Sequence, residues 1–123
     1  FSGLKTAVLN HINSAKQRGE EINRADIAAS FQQAVIEVIC QKAVAAAKDM
    51  GHGKLVIAGG VAANSKLRME LEQQCAQESI SLYIPSARLC TDNGAMIGCA
   101  AYYKYKEGQK GDLYMDAHAN LPF

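Results

Sequence analysis

The chain of 123 residues reads as an α/β domain in which short parallel strands are flanked by helices. Three observations predict this class. Helical and strand-like segments follow one another in the order helix, helix, strand, helix, strand, helix. The first strand candidate, Leu55-Val56-Ile57-Ala58, is a continuous apolar run without solvent-facing alternation, which suits a buried strand in a parallel sheet. The two strand candidates are separated by a helix, the connection that parallel neighbours need.

Each element has its own warrant. Leu4, Val8 and Ile12 recur at i, i+4 and i+8, with Ala7 and Ala15 beside them, and predict a helix over Leu4 to Gln17 that Gly19 ends. Asn23-Arg24-Ala25-Asp26 resembles a capping box and opens a longer helix. Its rhythm is carried by Ile27, Phe31, Ala34, Val35 and Val38, then by alanine-rich sequence to about Lys48, before Gly51 and Gly53 stop it. After the first strand, Gly59-Gly60 turns the chain, and Asn64 or Ser65 caps a helix with Leu67, Leu71 and Cys75 on one face. Ser81 to Ile84 is the second strand, closed by Pro85. From Gly94 to about Lys106 the sequence is apolar on most sides and predicts a substantially buried helix ending at Gly108. The tail over 110–123 has no period and is expected to be irregular surface. Two strands are too few for a stable sheet, so further strands are expected from upstream sequence or from another copy of the chain.

Bulk properties narrow the classes. Apolar residues make up 49% of the chain, enough for one core, yet no apolar run approaches the roughly 18 residues of a membrane span. No leader of the secretory kind opens the chain, and Phe1-Ser2-Gly3-Leu4 reads as a cut through a longer protein. The net charge of +1 neither requires nor excludes nucleic acid. Cys40, Cys75, Cys90 and Cys99 form no C-x-x-C pair and fit no zinc framework; they are expected to be buried free thiols in a reducing cytoplasm. His11, His52 and His118 are scattered, without an H-E-x-x-H or H-x-x-x-H arrangement.

Two segments carry chemistry. Gly59-Gly60-Val61-Ala62-Ala63-Asn64 leaves a strand at the edge where open α/β sheets bind ligands and enters a helix N-terminus that favours anions. Glycines let backbone approach a ligand, and the Asn64 amide both donates and accepts. A plain strand-to-helix turn with Asn64 as cap explains the same residues. Cys90-Thr91-Asp92-Asn93-Gly94-Ala95-Met96 lies at a second strand-to-helix junction on the same sheet edge. Asp92 there suits a metal ligand or a base, whereas the plainer alternative has Asp92 or Asn93 cap the following helix. Lys66, Arg68, Arg88, Lys104, Lys106 and Lys110 suit RNA phosphates or simply solvated helix faces.

Taken in order, Phe1-Ser2-Gly3-Leu4-Lys5-Thr6, Ala29-Ser30-Phe31-Gln32-Gln33-Ala34-Val35, Gly59 through Arg68 and Cys90 through Ile97 resemble the TsaD/Gcp family, the tRNA threonylcarbamoyl-adenosine transferases once called glycoproteases. The resemblance covers essentially the whole chain and implies a single incomplete C-terminal domain, 1–123, of an actin-like ATPase fold built from ribonuclease-H-like halves. It implies transfer of a threonylcarbamoyl group from threonylcarbamoyl-adenylate to an adenosine beside the tRNA anticodon. It places Gly59, Gly60 and Asn64 in the adenine-nucleotide motif and Asp92 as a ligand of one divalent metal, iron or zinc. It names no catalytic side chain in this segment. The family's two histidine ligands and part of its adenylate pocket have no counterpart here, so the isolated chain is expected to hold metal weakly and to be inactive. Partners implied are tRNA and, in bacteria, a silent paralogue and an ATPase, in the cytoplasm and without a membrane. Two other readings stay open: a metalloendopeptidase, after the older label, and a non-catalytic protein-interaction fragment.

Overall fold

A computed structural model describes residues 1–116. It contains four α-helices and two strands: α1 (Leu4–Gln17), α2 (Arg24–Asp49), β1 (Lys54–Val56), α3 (Ser65–Gln77), β2 (Ser81–Tyr83) and α4 (Gly94–Lys106), with one-turn 3-10 helices at Gly60–Ala63 and Ala87–Leu89. The domain is thus mostly helical, with two short strands that pair in parallel, Leu55 opposite Leu82.

Helix boundaries follow local chemistry. Asn23 caps α2 by accepting the Ala25 and Asp26 N–H groups, while its own amide donates to the Asp26 carboxylate at 2.7 Å. Asp26 therefore answers the cap through the Asn23 side chain, not through its backbone as in a full capping box. Gly19 and Gly51, with φ of 70° and 68°, end α1 and α2 in the left-handed conformation that suits glycine.

The core lies between α2, α3 and one face of the strand pair. Ile36, Cys40, Val44 and Ala47 of α2 meet Leu67, Leu71 and Cys75 of α3 and Ile80, with Leu55, Ile57 and Leu82 packed beneath. The α3 stripe is the expected one. The α2 stripe is not: Phe31, Ala34 and Val38 are exposed, and the core face is rotated to Ile36-Cys40-Val44-Ala47. An apolar pattern around most of the α2 circumference does not select a face by periodicity alone, and packing against α3 makes the choice.

Three expectations of burial are corrected. The first strand is half-covered: Leu55 faces the core, but Val56 is 68% exposed on the outer side of the sheet. No residue of α4 is buried, and Met96, Ile97, Tyr102, Tyr103 and Tyr105 are all exposed. Cys40, Cys75 and Cys90 are buried free thiols, but Cys99, on α4, is exposed. The common cause is that no element among the described residues covers α4 or the outer sheet face, so their apolar side chains stay exposed. Past α4 the chain is irregular through residue 116; the expected irregular tail over 117–123, with His118, lies outside the described residues. Among the described residues no helix is long and apolar enough to cross a membrane.

Candidate functional site

The glycine turn is built at the end of β1. The Ile57 N–H still donates to the Tyr83 carbonyl at 3.1 Å, and the chain then leaves the sheet. Gly59 adopts φ 84° and ψ 173°, a conformation essentially confined to glycine. Gly60 has no such constraint, and a Cβ there would meet nothing within 4 Å. Instead of entering α3 directly, the chain makes the Gly60–Ala63 3-10 turn, closed by bonds from Ala62 N–H to Gly59 O and from Asn64 N–H to Val61 O, both 3.0 Å.

Asn64 is the cap of α3. Its Oδ1 accepts the Leu67 N–H at 3.0 Å, and its Nδ2 donates to Gln32 Oε1 on α2 at 3.3 Å. Gln32 thus orients the amide, leaving one N–H and one lone pair for anything else. The Ser65 and Lys66 N–H groups of the first turn have no helical acceptor. Beside them, Phe31, Gln32, Val35, Ile39, Val61 and Asn64 line a cleft of about 150 Å³. That is smaller than the roughly 300 Å³ at which small-molecule pockets begin, so the cleft does not enclose a nucleotide by itself. Larger grooves of about 490 and 480 Å³ run between α1 and α2, and neither is lined by a residue of the two candidate segments.

The second segment follows the Ala87–Leu89 turn. Asn93 is the cap of α4: its Oδ1 accepts the Met96 N–H at 3.0 Å, and its Nδ2 donates to Leu89 O at 3.3 Å and Thr91 O at 2.9 Å. Asp92 is exposed, and no hydrogen bond or ion pair within the described residues engages its carboxylate. The cap is therefore Asn93 alone. Among the described residues, no three His, Cys, Asp or Glu side chains gather into a group able to hold a metal ion. Asp92 can offer one oxygen ligand and no more; these residues do not by themselves fit a metal centre.

The two segments meet. The 3-10 turns at Gly60–Ala63 and Ala87–Leu89 pack on each other, and Arg68 of α3 spans them. Its Nε donates to Ala62 O at 2.5 Å, while one terminal nitrogen donates to Pro85 O at 2.9 Å and to Cys90 Sγ at 3.1 Å. Arg68 is thus turned inward and is not among the cations open to RNA phosphate. Lys104, Lys106 and Lys110 lie on exposed surface with Tyr102 and Tyr105, Lys106 over Tyr102 and Lys110 over Tyr105. Gln32 and the inward role of Arg68 went unread in the sequence. Arg68 stands four residues beyond the cap, on the same side of α3, which was a usable signal; Gln32, 32 residues upstream of Asn64, left none.

Comparison with known proteins decides the family. The family model described as tRNA N6-adenosine threonylcarbamoyltransferase matches residues 1–99, which include every residue of both segments. The chain belongs to the tRNA N6-adenosine threonylcarbamoyltransferase family. Proteins of that name from Clostridium botulinum, Staphylococcus aureus and Staphylococcus carnosus are 49%, 47% and 46% identical to it over 121 residues, 98% of this chain. The chain spans only 35–36% of the length of these relatives. The resemblance drawn from the four motif blocks is confirmed, and the threonylcarbamoyltransferase name describes group transfer to tRNA, not peptide hydrolysis.

Proposed function

We propose that the full-length protein containing this chain moves a threonylcarbamoyl group from threonylcarbamoyl-adenylate to the exocyclic amine of an adenosine beside the anticodon of tRNA. The observation that carries this reading is the family match over residues 1–99, within which both ligand-type loops are joined at one place in the fold. Residues 1–123 are one incomplete domain of an actin-like ATPase fold, in which other parts of the protein supply the facing wall of the site. The Gly59-Gly60 turn and Asn64 contact the adenylate. The first-turn N–H groups of α3 favour its phosphate, because a helix N-terminus carries partial positive charge.

The amine of adenine is a weak nucleophile and the group it attacks is a mixed anhydride. In this reading the glycine turn and Asn64 act by holding the adenylate where the amine reaches it. Asp92 would serve as one ligand of the iron or zinc that the family implies, an ion that would neutralise charge on the adenylate. Since the described residues supply only that carboxylate, the remaining ligands belong to other parts of the protein. Partners in this reading are tRNA and, in a bacterial cell, a silent paralogue and an ATPase, all in the cytoplasm.

The test is a nucleoside assay by mass spectrometry. Full-length protein, supplied with threonylcarbamoyl-adenylate, its partners and unmodified tRNA, is expected to form the modified adenosine, and the isolated chain is expected to form none. Full-length protein that leaves the adenosine unmodified would overturn the reading.

A further inference from the structure

We infer that Arg68 is a positioning residue: a clasp that sets the glycine turn and the Asp92 loop in register with one another. The transfer half of this inference rests on the reading proposed above; the structural half does not. The geometry is specific. One planar guanidinium reaches three acceptors on two separate loops, Ala62 O on the first and Pro85 O and Cys90 Sγ on the second. The two loops come from different strands; their 3-10 turns touch, but their asparagine side chains cap different helices. Asn64 fastens the first to α3 and, through Gln32, to α2, while Asn93 ties the second to α4. Since α4 buries no residue among those described, it gives the Asp92 loop little anchorage, and Arg68 adds hydrogen bonds to both loops where the two turns touch.

The site chemistry explains why such a clasp has value. A reaction that depends on position loses rate steeply when two holding groups shift by an ångström. Lysine cannot replace arginine here, because a single ammonium on a flexible stem does not fork to three fixed acceptors in one plane. Cys90 completes the arrangement: the residue is 4% exposed, and its sulfur accepts from Arg68 and lies 3.5 Å from the Ser86 carbonyl, so opening the clasp is expected to uncover the thiol.

The thiols make the proposal testable in the full-length protein. Cys40 and Cys75 are buried in the core between α2 and α3, away from the clasp, and report global unfolding; Cys90 reports the clasp. Arg68→Ala and Arg68→Lys are alkylated alongside wild type with N-ethylmaleimide, and each thiol is read by peptide mass spectrometry. The expected result is a Cys90 labelling rate at least about tenfold above wild type, with Cys40 and Cys75 unchanged, as local opening requires. At saturating adenylate and tRNA, kcat is expected to fall by at least about tenfold in the same variants. If Arg68→Ala labels at all three thiols together, it has unfolded globally and Arg68→Lys decides. Cys90 as protected as in wild type would show that Arg68 holds nothing closed, and all three thiols labelling together in both variants would make it a fold residue only. An exposed Cys90 with wild-type kcat would show that the register does not matter to transfer; each of these overturns the inference. Should wild-type protein show no transfer at all, the transferase reading fails, while the labelling still judges the clasp.

Discussion

Asn93 Oδ1 accepts the Met96 N–H at 3.0 Å, and this bond relieves the neighbouring Asp92 of any capping duty. Asp92→Asn in the full-length protein is therefore expected to change stability by no more than about 0.5 kcal/mol when both proteins are metal-free, as for other exposed positions. It is expected to lose most bound metal and most transfer activity, since a neutral amide gives up the attraction of a carboxylate to a dication. Asn93→Ala should behave in the opposite sense, costing about 1 kcal/mol with metal content retained. Plasma emission on both variants, with melting curves, checks the pair. Wild-type metal and turnover in Asp92→Asn would remove Asp92 from the site.

Asn64 is held at both ends of its amide, by Leu67 and by Gln32. Asn64→Ala should cost about 1 kcal/mol as a lost cap. Asn64→Asp keeps the oxygen that caps α3 and adds a charge the helix N-terminus tolerates, so its melting temperature should stay near wild type. The same charge repels a phosphate, and nucleotide affinity should drop about tenfold or more if Asn64 faces the adenylate. Unaltered affinity by calorimetric titration of Asn64→Asp would confine Asn64 to its capping role.

The two glycines of the turn should separate. Gly59→Ala places a side chain at φ 84° and is expected to cost about 1–3 kcal/mol. Gly60→Ala meets open space within the domain, so its melting temperature should be close to wild type. Loss of nucleotide binding in Gly60→Ala, with stability intact, would show that a ligand approaches that backbone closely.

Cys40 gives a pH dependence with a definite sign. Burial foremost, with the Glu70 carboxylate and Cys75 adding to it, pushes its thiol up from 9.0 to about 11. The unfolded thiol loses its proton first, so between these values the unfolded state binds fewer protons and stability falls as pH rises. The contribution is intact below pH 9.0 and should decline by about 1 kcal/mol per pH unit above it. Denaturant midpoints between pH 8 and 10.5 should therefore slope less steeply in Cys40→Ala than in wild type; equal slopes would contradict the assignment.

How much of this was legible in the sequence depends on how local each signal is. The bounds of α1 and α2, the Asn64 cap and the parallel pair follow from spacing, caps and glycines, all of which act over a few residues. The core stripe of α2 was misread because Ile27, Phe31 and Val38 repeat as regularly as Ile36, Cys40 and Val44, and only the position of α3 distinguishes them. The burial of α4 was inferred from composition, but burial requires a second element packed over the helix, and among the described residues Ile97 and Tyr102 stay 64% and 56% exposed. At the site, Asp92 and Asn93 were equivalent as letters, and a single hydrogen bond to Met96 separates them. Arg68 looked like a surface cation because its three acceptors are two backbone carbonyls and a thiol, none of which announces itself as a partner of arginine.

The pairing of β1 with β2 has a practical consequence for anyone handling this chain by itself. Among the described residues only the inner edges of the two strands are matched, one to the other, and the outward side of the ribbon presents Val56 and Tyr83 to water. Unsatisfied backbone rows next to bare apolar side chains are a template on which further strands add. Concentrated samples of residues 1–123 should accordingly self-associate through this ribbon. A lysine at position 56 should raise their solubility while leaving the α2–α3 core, and hence the helical circular dichroism signal, as it is.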